Sequence, residues 1–220
     1  MNDLPHDAVI VDTASSPRCC VLWLHGLGAD GHDFEPIVSE LPLPPDLSIR
    51  FIFPHAPIRP VTINGGMHMR AWYDFFSLDP GAGEDYTQVG ETARQVQQWL
   101  NSLRADFDRL ILGGFSQGGA MALLAGLSQD SVADAVFGLS TYLPDPEKAG
   151  MPLKPNLDSV PIFMAHGSFD PVIPVHYGRQ TLERLRSNNA AIQWHEYPMQ
   201  HSVCIDEIRD LGQWLGRQLT

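Results

Sequence analysis

One stretch constrains this chain more than any other: LILGGFSQGGAMALLAG, residues 110–126. An apolar run suited to a buried strand passes through Gly114-Phe115-Ser116-Gln117-Gly118-Gly119 directly into a run of helix formers. Strand, sharp turn and helix within so few residues bring the chain close to itself, so side chains at Gly114 and Gly118 would collide. The turn holds Ser116 in a strained conformation, with its oxygen above the carboxyl end of the strand. There it also meets the positive start of a helix, where developing negative charge is favoured.

The rest of the sequence supplies a sheet for this turn. Apolar runs rich in Val, Ile, Leu and Phe recur at Ala8–Val11, Cys19–Leu24, Ile49–Phe53, Arg109–Phe115, Asp134–Leu139, Pro161–Ala165 and Ala191–Tyr197. Several are continuously apolar, as strands covered on both faces are, which predicts a mostly parallel sheet of about seven strands. Helical periodicity lies between them: Val89, Ala93, Val96, Leu100 and Leu103 form one stripe. Further helices are expected from Gln117 to about Leu127, from His176 to about Ser187, and from about Val203 to Leu219. Strand and helix in alternation predict α/β architecture with helices on both faces. The 220 residues show no internal repeat or linker, so one domain over 1–220 is expected. The exception to short connections is Pro54 to about Gln88, which no regular pattern covers and which carries Met67, Met69, Trp72, Tyr73, Phe75 and Phe76. These large side chains either cap the edge of the core or wall a substrate groove.

Composition narrows the classes of function. With 14 basic against 26 acidic side chains, a net charge of −12 disfavours nucleic acid and anionic membrane surfaces. The N-terminus is acidic where an export signal would be basic, and the longest apolar stretch, Ala120 to Leu127, is too short to span a bilayer. Cys19, Cys20 and Cys204 are an odd number without metal-type spacing. They are expected to be small buried hydrophobes in a reducing compartment, which fits the cytoplasm.

A serine hydroxyl is a weak nucleophile and needs a base, which needs an orienting carboxylate. On a strand–turn–helix of this kind the acid and then the histidine follow the serine, each past a later strand. Asp170 stands just beyond the apolar run Pro161–Ala165, and His201 just beyond Ala191–Tyr197, so these are the expected acid and base. His166 sits at a strand end, where local hydrogen bonding is the expected role and that of base a weaker alternative. His195, Asp206 and Glu207 are weaker still, and Asp158 precedes its strand, at the wrong end of the sheet. Acyl transfer also needs oxyanion donors. The Gln117 amide is one; the second is expected at Leu27, in the glycine-bearing HGLGADG that follows the run ending at Leu24. That loop matches neither common nucleotide-binding pattern.

Taken together, LHGLGADG, FPHAPIRPVTINGGMHMRAWYD, GGFSQGGAMAL, AHGSFDPVIP and MQHSV resemble the small α/β-hydrolases grouped as carboxylesterases, phospholipase-like esterases and acyl-protein thioesterases. The resemblance covers nearly the whole chain. It implies an α/β-hydrolase fold, and because the sheet, its helices and the 54–88 segment nearly use up the 220 residues, no separate lid domain is expected and the site should be an open, shallow groove. The substrate it implies is a small acyl ester or thioester, or a lipidated protein, and no metal or cofactor is required. It also implies that homodimers are common and that the 54–88 segment, with Trp72 nearby, borders the acyl groove; Met67, Met69 and Phe75 of the same segment are the other candidate walls. The implied triad falls on Ser116, Asp170 and His201, and the oxyanion donors on Leu27 and Gln117. Ser140-Thr141-Tyr142 departs from the resemblance, since many relatives carry glycine between the serine and the tyrosine. This is expected to alter a loop rather than the chemistry.

Overall fold

The structure, a computed structural model, describes residues 4–77 and 83–220. Nine strands are described: β1 (Val9–Asp12), β2 (Cys19–Leu24), β3 (Ile49–Phe53), β4 (Ile58–Val61), β5 (Met67–Arg70), β6 (Arg109–Phe115), β7 (Ala135–Leu139), β8 (Ile162–Gly167) and β9 (Ile192–Tyr197). Four α-helices accompany them: α1 (Tyr86–Arg104), α2 (Gln117–Leu127), α3 (Val175–Arg186) and α4 (Ile205–Leu219). Seven strands form one sheet in the order β1-β3-β2-β6-β7-β8-β9, parallel throughout except for β1, which runs antiparallel to β3 at the edge.

The continuous apolar runs are explained by cover on both faces. In β2, Cys20, Leu22 and Leu24 pack with residues of α1 and α2. The alternate residues Cys19, Val21 and Trp23 pack with α4 and with Phe34 and Leu41. Every β2 residue is therefore buried. α2 is buried along its whole length, sandwiched between α1 and the sheet, which is why it shows no polar face. Strand β6 lies in the middle of the seven, so its carboxyl end, where Ser116 sits, opens at the centre of the sheet edge.

Three sequence expectations need correction. The 54–88 segment is not without regular structure: β4 and β5 pair antiparallel as a separate ribbon, joined through a short 3-10 turn at Thr62–Asn64. Its strands were hidden because a ribbon off the main sheet buries no alternating apolar face, and IRPV and MHMR carry little periodicity. The same segment also contains the start of α1, where Asp85 accepts from the amides of Thr87 and Gln88 as an N-cap. Residues 78–82 of the same segment lie outside the described residues. Finally, Cys19 and Cys20 are buried, whereas Cys204 is half-exposed, because it precedes α4 where the chain leaves the site loop.

Glu207, in the first turn of α4, is fully buried, and neither carboxyl oxygen has a hydrogen-bond partner among the described residues. Burial pushes its carboxyl up to about 8; the nearby Cys204 amide offsets this only in part. Below the ordinary value of 4.5 both folded and unfolded chains hold this proton. Between there and about 8 only the folded chain keeps it, so the contribution of Glu207 to stability falls as pH rises through that window, by an amount on the order of a few kcal/mol. We expect Glu207→Gln to remove this slope. Tm of the variant minus Tm of the wild type, measured by thermal unfolding, should be more positive at pH 8 than at pH 5. A difference independent of pH would refute the assignment.

Candidate active site

Loops following β2, β6, β8 and β9 at the carboxyl edge of the sheet build the site, with Phe75 from beyond β5 and Tyr142 from beyond β7 added to its walls. The tightest is the turn after β6. Ser116 has φ 54° and ψ −122°, the left-handed side that side chains rarely adopt. Close approach makes the flanking glycines obligatory: a Cβ on Gly114 would lie 2.5 Å from the Gly118 carbonyl carbon, and one on Gly118 would lie 2.3 Å from the Leu24 oxygen.

Ser116 Oγ lies 2.9 Å from His201 Nε2, and His201 Nδ1 lies 2.7 Å from Asp170 Oδ2. The other oxygen, Oδ1, accepts from the amides of Val172 and Ile173 at 2.8 and 2.9 Å. Burial by itself would raise the Asp170 carboxyl. Hydrogen bonds from His166, His201 and the Ile173 amide outweigh it and hold the group well below the usual carboxylate range. An ionised Asp170 favours the His201 tautomer with its proton on Nδ1, leaving Nε2 free to accept from the serine. The His201 ring also rests against Phe115, with centroids 4.9 Å apart, which limits its rotation.

His166, the alternative base, is buried behind this loop. Its Nε2 donates to the Ile173 carbonyl at 2.7 Å and lies 3.5 Å from Asp170 Oδ2, so it braces the acid and does not reach the serine. Asp158 is exposed. His195 lies within β9, its ring stacked on Phe163 and Tyr197. Asp206 is exposed on α4, where it pairs with Arg209.

The loop after β2 is fixed by His25. Burial pushes this ring down to about 4, so it is neutral at ordinary pH. Its Nε2 accepts from the Ala56 amide at 3.0 Å, which leaves the proton on Nδ1 to donate to the Gly26 carbonyl at 2.7 Å. In a trans peptide the C=O and the following N–H point in opposite directions. Gripping the Gly26 oxygen therefore also fixes the orientation of the Leu27 N–H, which belongs to the same peptide plane, and Leu27 lines the cavity. The Gln117 amide opens α2 and has no acceptor inside the helix.

Of the four proposed groove walls, Phe75 lines the cavity above Ser116, and Trp72, Met67 and Met69 are not among its lining residues. Trp72 is 1% exposed; its indole donates to the His25 carbonyl and its amide to the Gln117 side chain, both at 2.8 Å. The Gln117 side chain in turn donates to the Tyr73 carbonyl. Trp72 is thus a strut behind the site, its buried indole N–H satisfied by the His25 carbonyl. Met67 is exposed on the β4–β5 ribbon, and the Met69 sulfur sits 3.8 Å from where a Gly28 Cβ would be.

The walls are instead Leu27, Ala29, Phe75, Phe115, Val172 and Ile173, enclosing about 330 Å³, with Asp33 and Tyr142 also contributing. Tyr142 is held by its phenol donating to Glu84 at 2.6 Å, with the Tyr73 hydroxyl 3.2 Å away. Ser116 is only 8% exposed, so the site is recessed and not the open, shallow groove expected. The loop carrying Val172 and Ile173 closes one side, an effect of tertiary packing that no local pattern in DPVIP signals. Among the described residues no group of three His, Cys, Asp or Glu side chains is placed to hold a metal ion, and no helix is long and apolar enough to cross a membrane.

Comparison with known proteins decides the lineage. Residues 5–218 match the family described as phospholipase/carboxylesterase. The chain belongs to that family. Its relatives include proteins named acyl-protein thioesterase 1: that of Mycosarcoma maydis is 36% identical, with 91% of each chain covered. The Neurospora crassa protein of the same name is 34% identical, with 96% of this chain and 91% of the relative covered. Among solved structures, acyl-protein thioesterase 2 of Zea mays superposes with TM-score 0.82 at 27% identity, covering 97% of this chain and 99% of that one. A carboxylesterase of Bacillus cereus shares the fold at TM-score 0.75 and 19% identity, over 96% and 93% of the two chains. The fold is that of the α/β-hydrolases, and the chain is a hydrolase of this esterase and thioesterase family.

Proposed function

We propose that this protein hydrolyses carboxylic esters and thioesters of short-to-medium acyl chains through an acyl-enzyme. Ser116 is the nucleophile, His201 the base, Asp170 the orienting acid, and the Leu27 and Gln117 amides the oxyanion donors, all on one domain over residues 1–220. The observation that carries this reading is the line that starts at Ser116 Oγ, in the lining of an apolar cavity, and runs through His201 to Asp170. In the first step Ser116 Oγ bonds to the acyl carbon while its proton passes to His201 Nε2. The oxyanion forms between the two amides and collapses, and the leaving alcohol or thiol departs with the proton from His201. Water then attacks the acyl-enzyme by the same route, releasing the acid and restoring the serine.

The cavity volume lies at the small end of the roughly 300–1,000 Å³ typical of small-molecule sites, which favours acyl chains of limited length. The apolar walls suit a hydrocarbon chain. A protein-borne acyl thioester is the second reading, supported by the relatives named acyl-protein thioesterase. Rates on a ladder of acyl lengths, with oxygen and sulfur esters measured side by side, test the proposal. Turnover on both ester types, with kcat/KM falling beyond medium chain lengths, is expected; no turnover on any member would overturn it.

A further inference from the structure

The departure at Thr141 falls at a buried position in the loop after β7. Thr141 is 1% exposed, and its hydroxyl donates to the carbonyl oxygen of Ser116 at 2.7 Å. The same hydroxyl is 3.4 Å from the Tyr142 carbonyl, a weaker second contact. It reaches the serine because Ser140, at φ 46°, turns the chain sharply at the end of β7. The Ser116 amide meanwhile donates to the Leu139 carbonyl at 2.9 Å. Both polar groups of the strained residue's main chain are thus held by two residues of one short turn, Leu139 and Thr141. The Ala120 amide, 3.0 Å away, shares the Ser116 oxygen as the first turn of α2.

The Ser116 carbonyl and the Gln117 N–H belong to one peptide plane and point in opposite directions. Holding that carbonyl from the buried side therefore aims the Gln117 N–H outward. His25 does the same to the neighbouring donor, gripping the Gly26 carbonyl at 2.7 Å behind the Leu27 N–H. Each proposed oxyanion peptide has its oxygen anchored by a buried side-chain donor at the same distance. Packing accounts for the rest of Thr141: its methyl carbon lies 2.9 and 2.8 Å from where Cβ atoms on Gly119 and Gly138 would be, filling the space those glycines leave. The hydroxyl is not needed for that filling.

We propose that Thr141 is a positioning residue for the reaction, fixing through the Ser116 carbonyl the peptide plane whose Gln117 N–H receives the oxyanion. It touches no substrate, and the inference rests on the triad reading above. Removing an oxyanion donor outright typically costs about a hundred- to a thousandfold. Loosening its aim while the Ala120 bond remains should cost less, about five- to tenfold.

The test compares Thr141→Val, which keeps the shape and loses the hydroxyl, with Thr141→Ser, which keeps the hydroxyl and loses the methyl. For the valine variant kcat on an aryl acyl ester should fall about five- to tenfold with KM within about twofold. The inhibition constant of a trifluoromethyl ketone, whose adduct with the serine carries an oxyanion, should rise by the same factor. The serine variant should keep kcat within about twofold even if its Tm drops. Thr141→Ala, which removes both groups, should show the valine loss and serves if the valine variant does not fold. Unchanged kcat and ketone affinity without the hydroxyl, or an equal loss in the serine variant, would overturn the proposal. A wild-type protein that neither turns over esters nor binds the ketone would instead sink the triad reading itself.

Discussion

Replacing Ser116 by Ala is expected to lower hydrolysis of aryl acyl esters by at least about 10⁴-fold while leaving the fold intact. The size of the effect follows from the proposed role of the hydroxyl, whose oxygen is, on that reading, the atom that bonds to the acyl carbon. The fold should survive because the strained turn is held by the main chain and by glycines. The Ser116 amide is bonded to Leu139, and its carbonyl to Ala120 and Thr141. Alanine at φ 54° carries the same Cβ strain that serine already bears. Initial rates on a chromogenic ester and Tm by thermal unfolding, measured on the same preparation, check both halves. More than a trace of turnover in the variant would rule out Ser116 as the nucleophile.

The second large effect is expected at Asp170→Asn, a loss of about 10⁴-fold in kcat with little change in size or shape. The carboxylate accepts from His201 Nδ1 at 2.7 Å, and its other oxygen already accepts from two amides. An asparagine that keeps those two amide bonds through its oxygen must present its NH₂ to His201. The imidazole then accepts at Nδ1 and carries its proton on Nε2, where it can no longer take one from the serine. Asp158→Asn is the matched control. Asp158 is exposed ahead of β8, so kcat should stay within about twofold. A larger loss at Asp158 than at Asp170 would move the acid to the other residue. Since Asp170 is held ionised far below neutrality, its stabilisation is complete above its ordinary value of 3.8 and is lost only in strong acid. The falling contribution between about pH 5 and 8 is that of Glu207, where the carboxyl is raised instead. The buried neutral His25 opposes it up to its ordinary value of 6.5, which is why the Glu207→Gln difference and not the wild-type curve is the test.

Much of the scaffold was legible before any coordinates. The limits of β2, β3, β6 and α2 coincide with the apolar runs that predict them, because each is either a strand covered on both faces or a helix that begins at an unmistakable turn. The β4–β5 ribbon was not legible, since its pairing depends on a partner strand rather than on a buried face. The four groove candidates show the same limit from the other side. Large apolar residues in a long segment announce burial of some kind, but Trp72 turns inward to reach the His25 carbonyl while Met67 stays in solvent. Val172 and Ile173 wall the cavity although nothing in their immediate sequence sets them apart from core residues.

What the sequence alone determined is the part governed by local sterics and chain order: a serine on a turn that only glycine neighbours allow, and strands long and apolar enough to carry it to the centre of a sheet. Tertiary structure decided everything that depends on distance across the chain. Ser116 and His201 are 85 residues apart and Asp170 and His201 are 31 apart, yet they meet within hydrogen-bonding distance because parallel strands deliver their carboxyl ends to one edge. The anchoring of Ser116 by Thr141 and the recession of the serine beneath the 172–173 loop are of the same kind. A hydrogen bond or a wall needs two surfaces brought within a few ångströms, and only the packed sheet fixes which surfaces those are.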